Sequence, residues 1–175
     1  KEAADSGDNE KVKEIIKALK TSVSNAGILM PYLILEPGRS IVGEAGITLY
    51  TVGEIKEIKD IKNYLAIDGG MFENPRFALY QAVYTVCAPL KMNDEKTSTY
   101  TLAGKCCESG DMIAENCKLP KMNRGDLVAV FSTGAYNYSM SSNYNRNLVP
   151  PVVFVKDGKA KCVVEAGFMI EDYGL

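Results

Sequence analysis

The chain has 175 residues, of which 46% are hydrophobic and 24% charged, a composition typical of globular proteins. Its net charge of −2 argues against a nucleic acid or an anionic membrane as partner, because both favour a basic face. We recognise no signal peptide and no apolar run approaching the roughly 20 residues that a membrane helix needs.

The cysteine pattern bears on compartment and on metals. There are five cysteines, no Cys-x-x-Cys pair and no histidine. An odd number of cysteines without such a pair favours reduced thiols in a cytoplasm over a secreted disulfide framework. Structural zinc sites normally use Cys or His pairs at short spacing, so we expect no metal site.

The first predicted element is an amphipathic helix over residues 8–24. Apolar residues recur at helical spacing along one face, while lysines and glutamates fill the other. The stripe consists of Val12, Ile15, Ile16 and Leu19. Asp8 is the expected N-cap, and Asn25 with Gly27 supplies the stop. Because the chain begins with Lys1 rather than Met within this pattern, we expect a truncated N-terminus.

A short apolar run closed by Pro-Gly follows in "PYLILEPGR", residues 31–39. This pattern predicts a buried strand that ends in a turn. The next stretch, "SIVGEAGITLYTV", residues 40–52, predicts a helix leading into a strand. Helix, loop, buried strand and turn in this order are typical of a parallel α/β unit.

After about residue 50 the sequence changes to strand-like runs separated by Gly, Asn, Asp and Pro. These runs are "NYLAIDGG" (63–70), "YQAVYTVCAPL" (80–90), "STYTLAGKC" (98–106), "GDLVAVFSTGAY" (125–136) and "PVVFVKDGKAKCVVEAG" (151–167). Asp157-Gly158 within the last run predicts a two-residue hairpin turn. Such runs are typical of an all-β barrel or sandwich. We therefore predict the tail of an α/β domain over residues 1–48 and a β domain over residues 49–175.

Several motifs, in order, carry a resemblance to a known family. They are "EPGRS" (36–40), "DGG" (68–70), "NPRFALY" (74–80), "CESGD" (107–111), "GAYNYSMSSNYN" (134–145) and "EDYG" (171–174). The series resembles the C-terminal portion of the diaminopimelate decarboxylases, fold-type III pyridoxal-phosphate enzymes. The resemblance implies an α+β fragment: the last helix and strand of a (β/α)8 barrel, followed by a mainly antiparallel β-barrel or sandwich.

The resemblance implies pyridoxal 5′-phosphate as cofactor and gives the Glu-Pro-Gly-Arg turn a role in binding it. The implied cofactor residues are Glu36, Pro37, Gly38, Arg39 and Tyr136. A carboxylate beside the pyridine nitrogen keeps that nitrogen protonated, which favours decarboxylation because the ring then accepts electrons more readily. Without the resemblance, Glu36 would be interpreted as a residue that caps a turn.

The resemblance also implies how the substrate is held. The implied substrate-binding residues are Arg39, Arg76, Tyr80, Glu108 and Tyr136. Arg76 and Tyr80 stand four residues apart, so they could share one side of a helical turn. The alternative for Arg76 is a surface salt bridge. Glu108 resembles the carboxylate that holds the distal ammonium group of the substrate.

Cys107 resembles the family's catalytic proton donor. A free thiol has a pKa of about 8.5, so it is mostly protonated at neutral pH yet able to give its proton up. After CO2 leaves, the α-carbon of the substrate needs one proton on one face. The alternative is that Cys107 is a buried small hydrophobe. The neighbouring Cys106 is interpreted as a packing residue.

The implied activity is decarboxylation of meso-2,6-diaminopimelate to L-lysine in a cytoplasmic homodimer whose active sites are shared between the subunits. No lysine here matches the context of the family's Schiff-base lysine, so we expect the chain alone to be inactive. Two alternatives stay open: a decarboxylase of another basic substrate (ornithine, arginine or carboxynorspermidine), and a non-catalytic β module that binds a partner.

Overall fold

The computed structural model describes residues 9–32, 34, 36 and 38–167. The chain divides into two compact units, residues 1–40 and residues 41–175. None of the helices in the described part is both long and apolar enough to cross a membrane.

The first unit contains the predicted helix, here α1, Asn9–Asn25. It ends as expected, since Gly27 has a φ of +65° in the left-handed region that favours glycine. The proposed N-cap, Asp8, lies outside the described residues, as does the side chain of Val12. The remainder of the predicted stripe is exposed at Ile15, Ile16 and Leu19.

The buried strand predicted in residues 31–39 is wrong for the part of that stretch that the structure describes. Its described residues form no strand before the short helix α2, Gly38–Val42. Tyr32 and Ile34 are exposed by 99% and 80%. A strand requires a neighbouring strand to pair its N–H and C=O groups, and the described residues of this unit include no other strand.

The second unit begins, as predicted, with a helical segment that leads into a strand. A 3₁₀ turn, Gly43–Ala45, follows α2 and precedes the first strand. The remaining elements are β1 Ile47–Ile58, β2 Lys62–Ile67, α3 Arg76–Tyr80, β3 Val86–Cys87, β4 Ser98–Ala103, β5 Met112–Leu119, β6 Leu127–Phe131, β7 Val152–Lys156 and β8 Lys159–Val164.

Six strands form one mixed sheet in the order β3-β6-β1-β2-β4-β5. All pairings are antiparallel except β2 with β4, which is parallel. The outer strands β3 and β5 also contact each other, so the sheet curls into a nearly closed barrel. The predicted β domain is confirmed in this form, whereas the (β/α)8 barrel stays a prediction.

The barrel encloses the hydrophobic core of this unit. Strand β2 alternates, with Leu65 and Ile67 buried, and β6 contributes the buried run from Val128 to Val130. Fully burying one such side chain stabilises the fold by about 1.5–3 kcal/mol. The core therefore fixes the strand ends that carry the site.

Two parts of the β prediction need correction. The run 80–90 is mostly not a strand, because Tyr80 ends a helix and Gln81 caps it with a left-handed φ of +54°. Only Val86–Cys87 pairs with β6. Strand β5 was not predicted. The β7–β8 hairpin is confirmed, with Asp157 and Gly158 at φ of +51° and +71° as its turn requires.

A candidate active site around the thiol loop

Three segments of the second unit carry the predicted site residues. We name residues 68–80 the arginine turn, residues 104–111 the thiol loop and residues 134–147 the tyrosine segment. The arginine turn leaves β2 and returns through backbone hydrogen bonds from the amides of Glu73 and Asn74 to the carbonyl of Gly70 (3.2 and 3.1 Å). This compact turn delivers the chain into α3, at whose first turn Arg76 stands.

Arg76 lies between two tyrosine rings. Its guanidinium carbon is 5.4 Å from the ring centroid of Tyr80 and 5.2 Å from that of Tyr136. The prediction that Arg76 and Tyr80 share one side of a helical turn is confirmed. Cation–π contact with the two rings restrains the guanidinium, which also interacts with the hydroxyl of Tyr84.

Tyr136 is held in an unusual backbone conformation. Its φ is +72°, in the left-handed region that bulky residues rarely adopt. Just before it, Gly134 packs so closely that a Cβ there would lie 2.0 Å from the carbonyl oxygen of Val42. The amide of Gly134 donates to the carbonyl of Gly43 at 2.9 Å. This close packing and the left-handed turn bring the tyrosine ring against Arg76.

The thiol loop connects β4 to β5. The amide of Gly104 donates to the carbonyl of Asp111 at 2.8 Å and closes the loop at its base. Cys107 and Glu108 are both exposed at the tip. The alternative that Cys107 is a buried small hydrophobe is therefore wrong. The loop presents a thiol and a carboxylate together to the surface.

Hydrogen bonds join the three segments. The amide of Cys107 donates to Oδ1 of Asn145 at 2.7 Å, which ties the thiol loop to the tyrosine segment. The amide of Ser142 donates to the carbonyl of Phe72 at 2.7 Å, which ties the tyrosine segment to the arginine turn. The amide of Lys105 donates to the carbonyl of Gly69 at 3.0 Å and completes the connection.

The two neighbouring thiols have different surroundings. Cys106 is half-buried in a bend and accepts a weak hydrogen bond from Nδ2 of Asn147 at 3.5 Å. Burial, with the negative charge of Asp111, raises the pKa of the Cys106 thiol to about 11. Cys106 therefore keeps its proton at neutral pH, and the exposed Cys107 is the better placed of the two to exchange one.

The arginine turn contains a buried acid, Glu73. Glu73 accepts a hydrogen bond from the Tyr50 hydroxyl at 2.6 Å and another from the amide of Gly70 at 3.2 Å. Burial raises the pKa of Glu73 to about 7, and the nearby charges of Asp111 and Asp68 add to the effect. This carboxyl group joins the turn to Tyr50 of β1, and its protonation state changes near neutral pH.

The remaining predicted cofactor residues belong to the other unit. Glu36, Gly38 and Arg39 are exposed, and Pro37 lies outside the described residues. Among the described residues, a Cβ at Gly38 would meet no atom within 4 Å, so they leave the backbone there open to close approach by a ligand. Arg39 follows within α2.

Sequence reasoning missed two residues that organise the site. Asp111 ends the motif "CESGD", and Asn145 ends the motif "GAYNYSMSSNYN", yet neither had an assigned role. The available signal for Asp111 was an acid placed where a glycine-rich loop returns to a strand, since such an acid often accepts backbone N–H groups. For Asn145, whose backbone is left-handed with a φ of +53°, the sequence carried no comparable signal.

Comparisons with known proteins agree with this architecture. Residues 11–134 match the family described as "Pyridoxal-dependent decarboxylase, C-terminal sheet domain". The chain is 51% identical over 154 residues to a diaminopimelate decarboxylase of Halalkalibacterium halodurans, covering 88% of this chain and 35% of that protein. The chain spans about a third of the length of the curated relatives it matches.

Solved structures show the same fold. A protein from Aquifex aeolicus superposes with a TM-score of 0.73 at 32% identity, over 89% of this chain and 37% of that one. A diaminopimelate decarboxylase from M. jannaschii in complex with L-lysine superposes with a TM-score of 0.69 at 34% identity, over 85% of this chain and 34% of that one. The chain belongs to the family of the C-terminal sheet domain of pyridoxal-dependent decarboxylases.

Proposed function

We propose that this chain is the C-terminal part of an enzyme that decarboxylates meso-2,6-diaminopimelate to L-lysine and CO2. In this proposal residues 1–48 complete a (β/α)8 barrel and residues 49–175 form the β domain. The observation that carries the proposal is the hydrogen bonding that unites the arginine turn, the thiol loop and the tyrosine segment into one surface. That surface offers a guanidinium, a carboxylate and a thiol.

The donor set fits pyridoxal 5′-phosphate as cofactor. Arg39 and the hydroxyl of Tyr136 can donate hydrogen bonds to a phosphate or ring oxygen, and the open backbone at Gly38 admits a bulky anion. Glu36 can accept a hydrogen bond from a protonated pyridine nitrogen. When bound, the cofactor supplies a ring that accepts the electron pair left as CO2 departs.

Different residues of this chain bind different groups of the substrate. Arg76, in contact with the rings of Tyr80 and Tyr136, binds the distal carboxylate, a role that we also propose for Arg39. Glu108 accepts hydrogen bonds from the distal ammonium group. Both the distal carboxylate and the distal ammonium group are thus bound. This favours diaminopimelate over substrates that carry only an amine at that end.

Cys107 acts after CO2 has left. Its exposed thiol gives a proton to the α-carbon, and a proton from solvent later restores the thiol. A half-buried neighbour with a raised pKa, Cys106, does not compete for this role. We also propose that the enzyme is a homodimer in which each active site combines residues of both subunits.

The test compares substrates on the full-length protein that contains this chain. Release of CO2 is measured with meso-diaminopimelate, ornithine, arginine and carboxynorspermidine at matched concentrations. We expect turnover with diaminopimelate to exceed the others by at least about a hundredfold, because a site that pairs both distal charges leaves them unpaired with the wrong substrate. Preference for another basic substrate would select the first alternative.

A substitution shows whether Glu108 provides this selectivity. Glu108→Gln should raise KM for diaminopimelate more than it lowers kcat, because the lost contact serves binding in the ground state as well. Glu115→Gln, on the neighbouring strand β5, is the matched control. Absence of CO2 release from every substrate by the full-length protein would favour the non-catalytic β module, and we expect the 175-residue chain alone to release none.

A further inference from the structure

The last residue of the thiol loop, Asp111, carries a buried carboxylate that has no part in the proposed chemistry. Asp111 is only 4% exposed, although the loop it closes is open to solvent. Its Oδ1 accepts a hydrogen bond from the amide of Met71 at 2.6 Å, and its Oδ2 accepts one from the amide of Cys106 at 2.7 Å. Burying a carboxylate is costly unless its oxygens are paired, and here two backbone donors pair them.

Two glycines enclose this carboxylate. A Cβ at Gly104 would lie 2.2 Å from Oδ2 of Asp111, and a Cβ at Gly70 would lie 2.7 Å from the same oxygen. Both backbones therefore approach the carboxylate more closely than a residue with a side chain could. The carboxylate sits in a cradle shaped by the arginine turn on one side and the thiol loop on the other.

The two donors belong to different segments of the site. Met71 precedes α3, which carries Arg76, and Cys106 directly precedes Cys107. A single side chain thus fixes the backbone from which the proposed substrate-binding arginine and the proposed proton donor both extend. The hydrogen bond from the amide of Lys105 to the carbonyl of Gly69 also links these two segments.

We propose that Asp111 is a positioning residue, which sets the thiol loop on the arginine turn so that Cys107 stands where the α-carbon needs its proton. This inference rests on the proposed function and adds to it a residue that touches neither substrate nor cofactor. Burial first, and then the negative charge of Asp111, raise the pKa of the neighbouring Cys106 thiol to about 11.

The first test measures amide hydrogen exchange on the 175-residue chain. Met71 and Cys106 lie outside every strand and helix, and the hydrogen bond that each amide donates goes to Asp111, so protection there reports this contact. In the wild-type chain we expect clear protection at both. Exchange there at the rate of a free peptide would overturn the proposal without any variant, and so independently of whether a variant folds.

The second test uses Asp111→Asn. The amide nitrogen of Asn cannot accept a hydrogen bond, so at least one of the two backbone donors loses its partner. We expect exchange at Met71 or Cys106 to accelerate at least about tenfold while core amides such as those of Leu65 and Val128 keep their rates. Unchanged exchange rates at Met71 and Cys106, or an equal rise at all amides, would overturn the proposal that Asp111 positions the loop locally.

Asp126→Asn is the matched control for this experiment. Asp126 also accepts from a loop amide, that of Asn123 at 2.6 Å, and its side chain is 22% exposed. It lies in the turn before β6, apart from the three site segments. Its replacement should accelerate exchange at Asn123 and leave Met71 and Cys106 unchanged.

The third test is kinetic and uses the full-length protein. In Asp111→Asn we expect kcat to fall about ten- to a hundredfold and the solvent deuterium isotope effect on kcat to rise, because proton delivery becomes slower relative to the other steps. A merely structural loss would lower the active fraction without changing the isotope effect, and that result would overturn the proposal. If the wild-type enzyme fails to decarboxylate diaminopimelate, the proposed function fails, while the exchange experiments still decide whether Asp111 fixes the loop.

Discussion

The two units of the chain contain similar apolar patterns but bury them to different degrees. In residues 41–167 the sheet curls around its own side chains, and Leu65 and Val128 are fully buried. In the described part of residues 1–40, Ile15 is exposed by 59% and Tyr32 by 99%. An apolar pattern thus identifies the residues that favour burial, whereas the strands that pair around them determine whether burial occurs within the unit.

The predicted site residues belong to both units. The thiol loop and the arginine turn extend from a barrel with its own core, whereas Glu36 and Arg39 belong to the unit in which Ile15 and Tyr32 are exposed. We therefore expect substitutions in the second unit to have separable effects on stability and chemistry.

Replacement of the proposed proton donor should have the largest effect. In the full-length protein, Cys107→Ala should lower kcat by roughly 10²–10⁴-fold with little change in KM, because the proton is needed only after the substrate has bound. Cys162→Ala removes another exposed thiol, on β8, and should leave both parameters unchanged. Equal losses in kcat and in binding would mean that the Cys107 thiol only shapes the pocket.

A pair of leucine truncations compares the two units directly. Leu65→Ala should lower the free energy of unfolding of the chain by about 2–5 kcal/mol, because it leaves a cavity in a fully buried core. Leu19→Ala, in a helix where this side chain is 38% exposed, should change it by less than about 0.5 kcal/mol. Urea denaturation measures both, and similar losses would show that α1 is buried in solution.

The sequence predicted local features better than the pairing between distant segments. Periodicity gave α1, and the Asp-Gly signal gave the β7–β8 turn, because both depend on residues close together in the chain. The strand predicted at 31–39 is wrong for the described residues of that stretch, because pairing depends on distant segments. Strand β5 was missed because Glu115, Asn116 and Lys118 interrupt its apolar pattern.

The same distinction applies to the site. Motifs identified Arg76, Cys107 and Tyr136 as candidates, since each lies in a short recognisable sequence. The contacts that join them depend on Asp111 and Asn145, whose partners lie as far as 40 residues away along the chain. Spacing within a single motif carries no information about such long-range pairs.

The buried acid predicts how the stability of the second unit depends on pH. The pKa of Glu73 is about 7 in the folded chain, because of burial first, against 4.5 for an unperturbed glutamate. Between pH 4.5 and pH 7, Glu73 is therefore mostly protonated in the folded state and mostly ionised in the unfolded state. Stability from this group is complete below about pH 4.5 and is lost as the pH rises through 7, by about 3 kcal/mol at most.

Glu73→Gln should remove that slope while keeping an acceptor for the hydroxyl of Tyr50. Urea unfolding of both chains at pH 5 and pH 8 measures the difference. Between pH 5 and pH 8, the free energy of unfolding should fall further in the wild-type chain than in the variant. An equal fall in the two chains would assign the pH dependence to other groups.

The smallest expected effects come from two lysines that form ion pairs in different units. Lys91 donates to Asp126 at 2.6 Å and to the carbonyl of Lys121 at 3.0 Å, with its side chain 21% exposed. Lys91→Met should cost about 1 kcal/mol, because it leaves a partly desolvated carboxylate with one donor fewer.

Lys13 pairs with Glu10 on α1 at 2.6 Å, and these side chains are 70% and 78% exposed. Lys13→Met should cost no more than about 0.5 kcal/mol, since water and salt screen an exposed pair three residues apart on a helix. Urea unfolding at low and high ionic strength distinguishes the two pairs. Half-molar salt should abolish the effect at Lys13 and keep most of the effect at Lys91, because burial, not sequence spacing, determines how far an ion pair is screened. Equal salt sensitivity at the two sites would show that the barrel does not shield its own ion pair from solvent.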